Sequence, residues 1–271
     1  MKSNMSLLSW NIRCQGGKFP IHKVVLETTL KQNKDINIFT EFTNNNSQDF
    51  IQDLWSNGYI PCGSDKSYSP GHNDVLIAIK KEIISENTSL NIDWFDESLD
   101  YPNFLKVTLK DDDLTLHIIG VRVRIGGGGI EDCKYRKKQI DNLLSYLKTL
   151  EGRIILSGDF NNLKHNDSDT IETYKNKNLV REFYSYPILK QEFNNNDFTL
   201  ITPKHGISWY GGHFVQCRLD HIIGKNVYIS NEEYDWSFLK SVGKYKANEK
   251  KMDGSFGPDH AILLADILTK E

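Results

Sequence analysis

The chain has 271 residues, a formal net charge of -3, and 38% hydrophobic and 25% charged residues. This composition supplies enough apolar surface for a sizeable core and excludes a largely disordered chain. The small negative charge excludes a basic coat protein for nucleic acid, but it is compatible with a cleaving enzyme that binds its substrate weakly. No repeat or low-complexity linker divides the chain, so we expect one domain over residues 1–271.

The four cysteines are widely spaced and include no C-x-x-C pair; they are Cys14, Cys62, Cys133 and Cys217. This spacing predicts neither a zinc site nor a disulfide framework, and it favours free thiols in a reducing compartment. The first ten residues are typical of a strand and not of a signal peptide, and no run approaches the roughly 18 apolar residues of a membrane helix. We therefore expect a cytoplasmic protein that does not bind membranes. The sequence leaves the oligomeric state open.

The apolar patterning predicts strands and helices in an irregular order along the chain. In chain order, we expect a strand at 6–12, helices at 20–32 and 48–56 on either side of a strand at 36–40, strands at 74–79, 104–109 and 114–123, a helix at 133–150, and strands at 153–157, 198–201, 207–209, 218–224 and 261–267. The helix at 133–150 has a stripe of apolar residues at helical spacing. The stripe consists of Ile140, Leu143, Leu144, Leu147 and Leu150. Hairpins and helices both connect strands, which favours an α/β fold of two packed mixed sheets flanked by helices over a purely parallel sheet.

Polar side chains recur where these apolar strands end or begin, and two of them, Asp220 and His221, lie inside the strand at 218–224. They are Asn11, Glu41, Asp159, Asn161, Asp220, His221, Asp259 and His260. A single Asp or Asn after a strand is usually part of a turn, so only the whole set carries a functional prediction. Because strand ends gather at one edge of a sheet, these side chains could converge in one pocket.

The chemical types in this set suit the hydrolysis of a phosphate ester. Glu41 is a hard oxygen ligand of the kind that Mg²⁺ prefers, and Asp159 could orient or deprotonate a water or share the metal. His260 could stabilise the phosphate or transfer a proton, with Asp220 fixing the orientation of its ring.

Two neutral groups complete the set. Asn11 and Asn161 could hold phosphate oxygens or metal-bound waters without adding negative charge. Phosphoryl transfer depends on such positioning and on neutralising charge on the phosphorus-bound oxygens.

Five stretches of sequence now identify a resemblance. They are Ser9-Trp10-Asn11-Ile12-Arg13, Thr40-Glu41, Ser157-Gly158-Asp159-Phe160-Asn161, Arg218-Leu219-Asp220-His221-Ile222 and Pro258-Asp259-His260. In this order they resemble the successive motifs of the endonuclease/exonuclease/phosphatase superfamily, which includes DNase I and the exonuclease III-type repair enzymes. The resemblance implies a DNase I-like four-layer sandwich, in which two packed mixed β-sheets are flanked by helices.

The resemblance also implies a metal site. Glu41 would be the main Mg²⁺ ligand, with Asn11 and Asp259 near the metal or its waters and with Mn²⁺ as an alternative ion. Arg13 stands where exonuclease III-type enzymes usually carry an acidic residue, which disfavours a strongly bound second metal. An Asn-Ile-Arg sequence is similar to that of DNase I, where the arginine lies beside the substrate.

The same resemblance implies catalytic roles. Asp159 would orient the attacking water, Asn161 would hold the phosphate, and the Asp220 and His260 pair would steady the transition state. The last motif is usually Ser-Asp-His, and Pro258 replaces its serine here, which leaves both of the other side chains available.

The strand stretch 116–124 differs from the family pattern, in which it ends with a His or Tyr facing the phosphate. This chain offers Arg122 and Arg124, which a strand would place on one face. A guanidinium can bind phosphate bidentately but cannot act as a general acid at neutral pH. We prefer Arg122 as the matching position and Arg124 as a further substrate contact; exposed salt-bridging arginines are the alternative.

Several residues outside the motifs could border the same edge. The glycine run at 126–129 lacks the Lys-Ser/Thr of a P-loop and predicts a flexible connection, followed by Arg136 and Gln139 on one side of the next helix. Trp209 could stack on substrate, although aromatic residues more often pack on a core. The other residues that could face the cleft are His72, Asn73, His205, Tyr210 and His213.

The favoured function is a Mg²⁺-dependent DNA endonuclease that uses in-line attack by water and leaves a 5′-phosphate and a 3′-hydroxyl. The alternative is a phosphatase or phosphodiesterase acting on a small molecule or a lipid head group, because that branch of the family uses the same core. A catalytically inactive binding scaffold is disfavoured, since such proteins usually lose the metal-binding Glu or the final His and this chain has both.

Overall fold

A computed structural model describes residues 1–63, 74–94, 100–112, 114–162, 184–210, 216–241 and 257–269. The strands are β1 (Asn4–Gln15), β2 (Ile36–Phe42), β3 (Tyr59–Cys62), β4 (Asp74–Lys80), β5 (Ser89–Trp94), β6 (Asn103–Lys110), β7 (Thr115–Arg122), β8 (Arg153–Asp159), β9 (Thr199–Ile201), β10 (Trp209–Tyr210), β11 (Gln216–Cys217), β12 (Asp220–Lys225), β13 (Val227–Asp235) and β14 (Ile262–Thr269). The helices are α1 (Lys23–Gln32), α2 (Gln48–Ser56), a 3₁₀ turn (Lys81–Ile83), α3 (Gly129–Leu147), α4 (Tyr186–Asn194) and α5 (Phe238–Ser241). His72, Asn73 and His213 lie outside the described residues.

Two mixed six-stranded sheets form the centre of the molecule. The first sheet has the strand order β13-β14-β1-β2-β4-β3, and the second has the order β5-β6-β7-β8-β12-β9. β1 pairs with β2 in parallel, as β7 does with β8, and each parallel pair leads into antiparallel neighbours. The strands β10 and β11 form a separate small hairpin.

Three apolar clusters separate four layers. The inter-sheet cluster joins both sheets, with Leu7 and Ile38 from the first and Ile118 from the second. A second cluster packs α3 and α4 on the outer face of the second sheet, and a third packs α1, α2 and α5 on the outer face of the first. The chain therefore forms a helix–sheet–sheet–helix sandwich, as predicted.

The alternation of side chains along β1 explains why this strand is buried on both faces. Leu7 faces the inter-sheet cluster, whereas Leu8 and Trp10 face the helices on the outer side. Successive side chains of a strand point to opposite faces, so a run that is apolar at nearly every position requires a covered sheet.

Most of the predicted elements agree with the structure in place and type. The clearest helix differs at its ends, because α3 begins at Gly129 within the glycine run and ends at Leu147. The four cysteines are free thiols, of which only Cys14 is exposed. In the part of the chain that is described, no helix has the length and apolar character needed to cross a membrane.

Candidate active site

Glu41 lies at an irregularity in the first sheet. The register between β2 and β4 shifts between Thr40 and Phe42, and Glu41 has a left-handed backbone with φ of 54°. A bulge of this kind redirects one side chain, and non-glycine residues in this conformation cluster at functional sites. The backbone thus turns Glu41 towards the second sheet, where one of its carboxylate oxygens accepts a hydrogen bond from Arg122 Nε at 2.9 Å.

Glu41 is ionised in this setting. Burial alone would raise its pKa, but the Arg122 guanidinium and the charge of His260 outweigh burial and hold the pKa of Glu41 below its usual value. Its second carboxylate oxygen lies 3.1 Å from the thiol of Cys14, which donates to it. An anionic carboxylate is therefore held in place by two donors.

Asp159 ends β8 and is almost completely buried, at 1% exposure. The preceding residue is Gly158 with φ of +149°, where an added Cβ would lie 2.0 Å from the carbonyl oxygen of Val121, so only glycine fits. Asp159 accepts hydrogen bonds from the Asn11 amide at 2.9 Å, from the Asn161 amide at 3.0 Å and from the Asn161 backbone N–H at 2.8 Å. Its orientation is therefore fixed by three donors from two chain segments.

Burial raises the pKa of Asp159 to about 7. The carboxylates of Asp220 and Glu41 add to the increase, whereas His260 and Arg122 oppose it. A carboxylate with a pKa near neutrality can accept a proton at neutral pH and release it again.

His260 lies just before β14 and is paired with Asp220, the first residue of β12. The ring Nδ1 and the Asp220 carboxylate are 2.8 Å apart, and both side chains are buried. Burial alone would lower the pKa of His260, but the Asp220 carboxylate raises it to about 10, with smaller contributions from Asp159 and Asp259. His260 is therefore an imidazolium at neutral pH.

Two backbone contacts fix the position of His260. Its carbonyl oxygen accepts from the indole N–H of Trp10 at 3.0 Å. Residue 260 also forms an isolated antiparallel bridge with Trp209, whose ring centroid lies 6.4 Å from that of His260. Trp209 is therefore next to His260 through both its backbone and its ring.

These groups line a cavity of about 480 Å³. Its wall consists of Arg13, Glu41, Ile125, Arg136, Asp159, Asn161, Asn162, Trp209, Cys217, Leu219, Asp259 and His260. Asn11, Arg122 and Asp220 stand behind this wall and hold Asp159, Glu41 and His260 respectively. Each of these three contacts links a residue in or next to the first sheet with a residue of the second sheet. The site therefore lies at the edge where the two sheets meet.

Arg124, predicted as a further substrate contact, does not line this cavity. β7 ends at Arg122, so the alternation that would place the two arginines on one face does not extend to residue 124. The Arg124 guanidinium donates to the carbonyl oxygen of Tyr101 at 2.6 Å and lies over the ring of Tyr135. His205 is exposed and does not line the cavity.

The donor types at the cavity fit a magnesium ion. No three His, Cys, Asp or Glu side chains of the described residues are grouped as a metal cage. Mg²⁺ needs only one or two protein carboxylates, because it keeps several of its waters. Glu41 supplies a carboxylate on the cavity wall, and Asp259 lies on the same wall with its carboxylate 3.4 Å from Arg13 Nε.

Cys14 is a functional candidate that sequence reasoning missed. It contacts Glu41 from an irregular part of β1, in which Arg13 and Cys14 both have left-handed backbones, with φ of 59° and 53°. The sequence carries no signal for this contact, because it depends on the local backbone conformation. Arg136, which was predicted as a residue that could border this edge, lines the cavity and donates to the carbonyl oxygen of Asn161.

The model of the Endonuclease/Exonuclease/phosphatase family matches residues 8–238 of the chain. The chain belongs to this family. Members of the family are phosphate-ester hydrolases and generally use divalent metal ions. None of the curated protein sequences matches the chain significantly.

Solved structures of similar fold are consistent with membership of the family. D. rerio TDP2 complexed with a single-strand DNA product is 14% identical, with a TM-score of 0.60, and the match covers 99% of this chain and 100% of that one. ANGEL2, a 2′,3′-cyclic phosphatase, is 13% identical with a TM-score of 0.65 and coverage of 97% and 95%. The human Nocturnin catalytic domain with bound sulfate is 15% identical with a TM-score of 0.58 and coverage of 100% and 96%. At this identity the likeness shows the DNase I-like fold alone.

Proposed function

We propose that this chain is a Mg²⁺-dependent phosphodiesterase that cleaves DNA as an endonuclease. The observation that carries the proposal is the buried Asp220–His260 pair, which places an imidazolium on the wall of the same cavity as Asp159 and Glu41. Hydrolysis of a phosphodiester needs a group that takes a proton from water and a cation that stabilises charge on the phosphate. Asp159 and His260 have these two properties at neutral pH.

In the proposed reaction, a water held by Asp159 attacks phosphorus in line with the leaving oxygen. The new bond joins the water oxygen to phosphorus, and the bond from phosphorus to the leaving oxygen breaks. Asp159 takes a proton from the attacking water, and the leaving oxygen takes one from solvent to become a hydroxyl. His260 and Asn161 would donate hydrogen bonds to the phosphate oxygens, on which negative charge accumulates. A bound Mg²⁺ would be held by Glu41 and Asp259 and would supply Lewis-acid stabilisation of the same charge.

Basic side chains support a polyanionic substrate. Arg13 lines the cavity, and Arg122 lies directly behind Glu41. Arginine is well suited to phosphate because its planar fork can make two parallel hydrogen bonds. The structure of TDP2 with a DNA product shows that this fold can bind a DNA strand in another protein, which supports a nucleic-acid substrate here.

The test is the relaxation of supercoiled plasmid by the purified protein in Mg²⁺, with His260→Ala and an EDTA-treated sample as controls. His205→Ala serves as a matched histidine substitution, because His205 is exposed and lies off the cavity wall. We expect metal-dependent nicking by the wild type and by His205→Ala, and none by His260→Ala. Intact plasmid in the presence of folded wild-type protein would contradict the DNA endonuclease proposal.

A small phosphate ester is the second candidate substrate. The cavity of about 480 Å³ falls within the range of pockets that enclose small ligands, which is about 300–1,000 Å³. The similar fold of ANGEL2, a 2′,3′-cyclic phosphatase, suggests which esters to try. Hydrolysis of a 2′,3′-cyclic nucleotide by a preparation that leaves plasmid intact would favour this candidate over the nuclease.

A further inference from the structure

Helix α3 has a polar stripe on a buried face. Asp132, Arg136 and Gln139 follow one another at i, i+4 and i+7, and they are 4%, 9% and 0% exposed. These spacings put the three side chains on one face of the helix. Burying such groups is unfavourable unless they are bonded, so their partners indicate what the stripe does.

The stripe holds two segments that leave the second sheet. Gln139 makes two hydrogen bonds to the backbone of Arg124, accepting from its N–H at 2.8 Å and donating to its carbonyl oxygen at 2.9 Å. Asp132 accepts from the N–H of Gly126 and from the guanidinium of Arg136. Arg136 in turn donates to the carbonyl oxygen of Asn161. The stripe therefore connects the segment after β7 with the turn after β8.

The contact with Asn161 reaches the reacting groups. Asn161 has a left-handed backbone with φ of 46°, which is unfavourable for a residue other than glycine unless its surroundings hold it. In this conformation both its backbone N–H and its side-chain amide donate to Asp159. Its side chain also donates to the carbonyl oxygen of Val123 at 2.8 Å. Asn161 therefore links the segment that follows β7 directly with the turn that follows β8.

We propose that Arg136, held by Asp132, is a positioning residue for the hydrolysis reaction. It keeps Asn161 in its left-handed conformation and thereby keeps the Asp159 carboxylate pointed into the cavity. The guanidinium suits this task because it donates to a carboxylate and to a carbonyl oxygen in two fixed directions, which a lysine ammonium does not reproduce. The role in hydrolysis rests on the proposed function, whereas the effect on the turn does not.

The test compares Arg136→Lys with Lys137→Met. Lys137 lies one residue along the same helix and makes ion pairs with Asp141 and Glu192, neither of which belongs to the turn at Asn161. Hydrogen exchange of the peptide covering 157–162 reports on the turn without any substrate. Steady-state cleavage of supercoiled plasmid in Mg²⁺ reports kcat and KM separately.

We expect faster exchange at 157–162 in Arg136→Lys and unchanged exchange in Lys137→Met. We expect kcat to fall by up to about a hundredfold in Arg136→Lys with KM nearly unchanged, because misplacement of a reacting group by about 1 Å has an effect of that size. Exchange and kcat at wild-type values in Arg136→Lys would overturn the proposal. A raised KM with unchanged kcat would also overturn it, since Arg136 would then be a substrate contact.

A second variant guards against failure of Arg136→Lys to fold. The double change Asp132→Asn with Arg136→Gln leaves no unpaired charge in the buried stripe, and it is expected to show the same faster exchange and lower kcat. If wild-type protein does not cleave plasmid, the proposed function fails. The exchange comparison then decides the effect of Arg136 on the turn by itself.

Discussion

Asp159 and His260 line the same cavity, but their surroundings give them different pKa values. Burial raises the pKa of Asp159 to about 7, and the Asp220 carboxylate raises that of His260 to about 10. Near neutral pH, Asp159 can gain or lose a proton while His260 keeps its proton. Environments that separate the protonation behaviour of neighbouring groups commonly mark the proton acceptor and the proton donor of a site.

Replacing Asp220 with asparagine tests the charge of the pair while keeping its shape. The amide oxygen of Asn can still accept from Nδ1 of His260, but the neutral amide no longer stabilises the imidazolium. We expect kcat at pH 7.5 to fall by about 10²–10³-fold, the usual effect of losing one preorganised donor to a developing negative charge. The measurement is the rate of plasmid nicking, or of hydrolysis of whichever phosphate ester the wild type accepts.

The matched control for Asp220→Asn is Asp235→Asn. Asp235 accepts hydrogen bonds from Gln32 and Ser237 and does not line the cavity. Its substitution should leave kcat within about twofold of the wild type, since surface changes away from a site have small effects. Equal rates for the two variants would show that the charge of Asp220 is not needed.

Sequence reasoning could identify the residues of the site because they belong to ordered motifs at strand ends. It could not predict the partner of each residue. Arg122 contacts Glu41 through a backbone irregularity at residue 41, and Arg124 turns to the carbonyl oxygen of Tyr101 after β7 has ended. The two-residue alternation of a strand holds only while the strand continues, and one sequence does not show where it stops.

At the level of elements, α3 connects the site to the outer layer through one buried face whose character changes along the helix. The C-terminal half of this face carries Ile140, Leu143, Leu144 and Leu147, all buried against the second sheet. The polar stripe of Asp132, Arg136 and Gln139 lies on the N-terminal half of the same face and holds the segments that follow β7 and β8. The predicted apolar stripe was correct at these four positions, and Leu150 lies beyond the end of the helix.

Leu143→Ala tests how strongly this face holds the helix. Leu143 is 0% exposed, and its truncation would leave a cavity between α3 and the second sheet. We expect the free energy of unfolding to fall by about 2–5 kcal/mol, which chemical denaturation would measure. Ser145→Ala, on the exposed face of the same helix, is the control and should change stability by less than about 0.5 kcal/mol. A loss of similar size in both variants would contradict the packing role of Leu143.

Strand β7 contains a buried histidine that should make stability depend on pH. His117 Nε2 lies 2.9 Å from the carbonyl oxygen of Glu151, and Nδ1 lies 3.0 Å from Thr108 Oγ1. Burial, with a smaller effect from Lys106, lowers the pKa of His117 below its ordinary value of 6.5. The unfolded chain therefore binds the proton more readily than the folded protein, and the stability contributed by neutral His117 is lost as pH falls from 6.5 through the folded pKa.

The measurement is the free energy of unfolding at pH 7.5 and at pH 5.5 for wild type, His117→Gln and His205→Gln. We expect the loss on acidification to be smaller in His117→Gln than in the wild type. His205 is exposed, so its variant should retain the wild-type loss. The same loss in all three proteins would show that His117 does not contribute to acid sensitivity.

The strands of the two six-stranded sheets that sequence patterning missed are β3, β5 and β13, and all three lie at sheet edges; it also missed the helices α4 and α5 of the outer layers. Most residues of β5 and β13 are exposed or half-buried. An edge strand has one hydrogen-bonded neighbour and carries polar residues that discourage further pairing, so it lacks the apolar run that reveals a central strand. The central strands β1, β2, β7 and β8 could be predicted because both of their faces are covered.

For the whole molecule, the ordered motifs were sufficient to predict the family and the four-layer fold, while the substrate stayed open. In the proposed reaction the motif residues act on the phosphate group, which every phosphate ester shares. The structures of similar fold are only 13–15% identical to this chain, and they include one with a single-strand DNA product and one of a 2′,3′-cyclic phosphatase. We expect discrimination among substrates to depend on cavity-lining residues outside the motifs, such as Ile125 and Trp209.

The distance between the two sheets is a property of the whole molecule on which the site depends. Glu41 and Asn11 come from the first sheet, and their partners Arg122 and Asp159 come from the second. At Gly120 of β7 the sheets approach so closely that an added Cβ would lie 2.5 Å from Val75 Cγ1 and 2.7 Å from Ile38 Cγ2. Glycine at this position therefore allows the two sheets to close on the site.

Gly120→Ala should push the sheets apart or distort both of them. We expect a loss of about 1–3 kcal/mol in the free energy of unfolding, as for other overpacked cores. We also expect a lower kcat, because the contacts across the sheets must lengthen. Gly127→Ala is the matched control, since an added Cβ there has no neighbour within 4 Å. Chemical denaturation and plasmid nicking would measure both effects, and wild-type values for Gly120→Ala would show that the sheets can separate without disturbing the site.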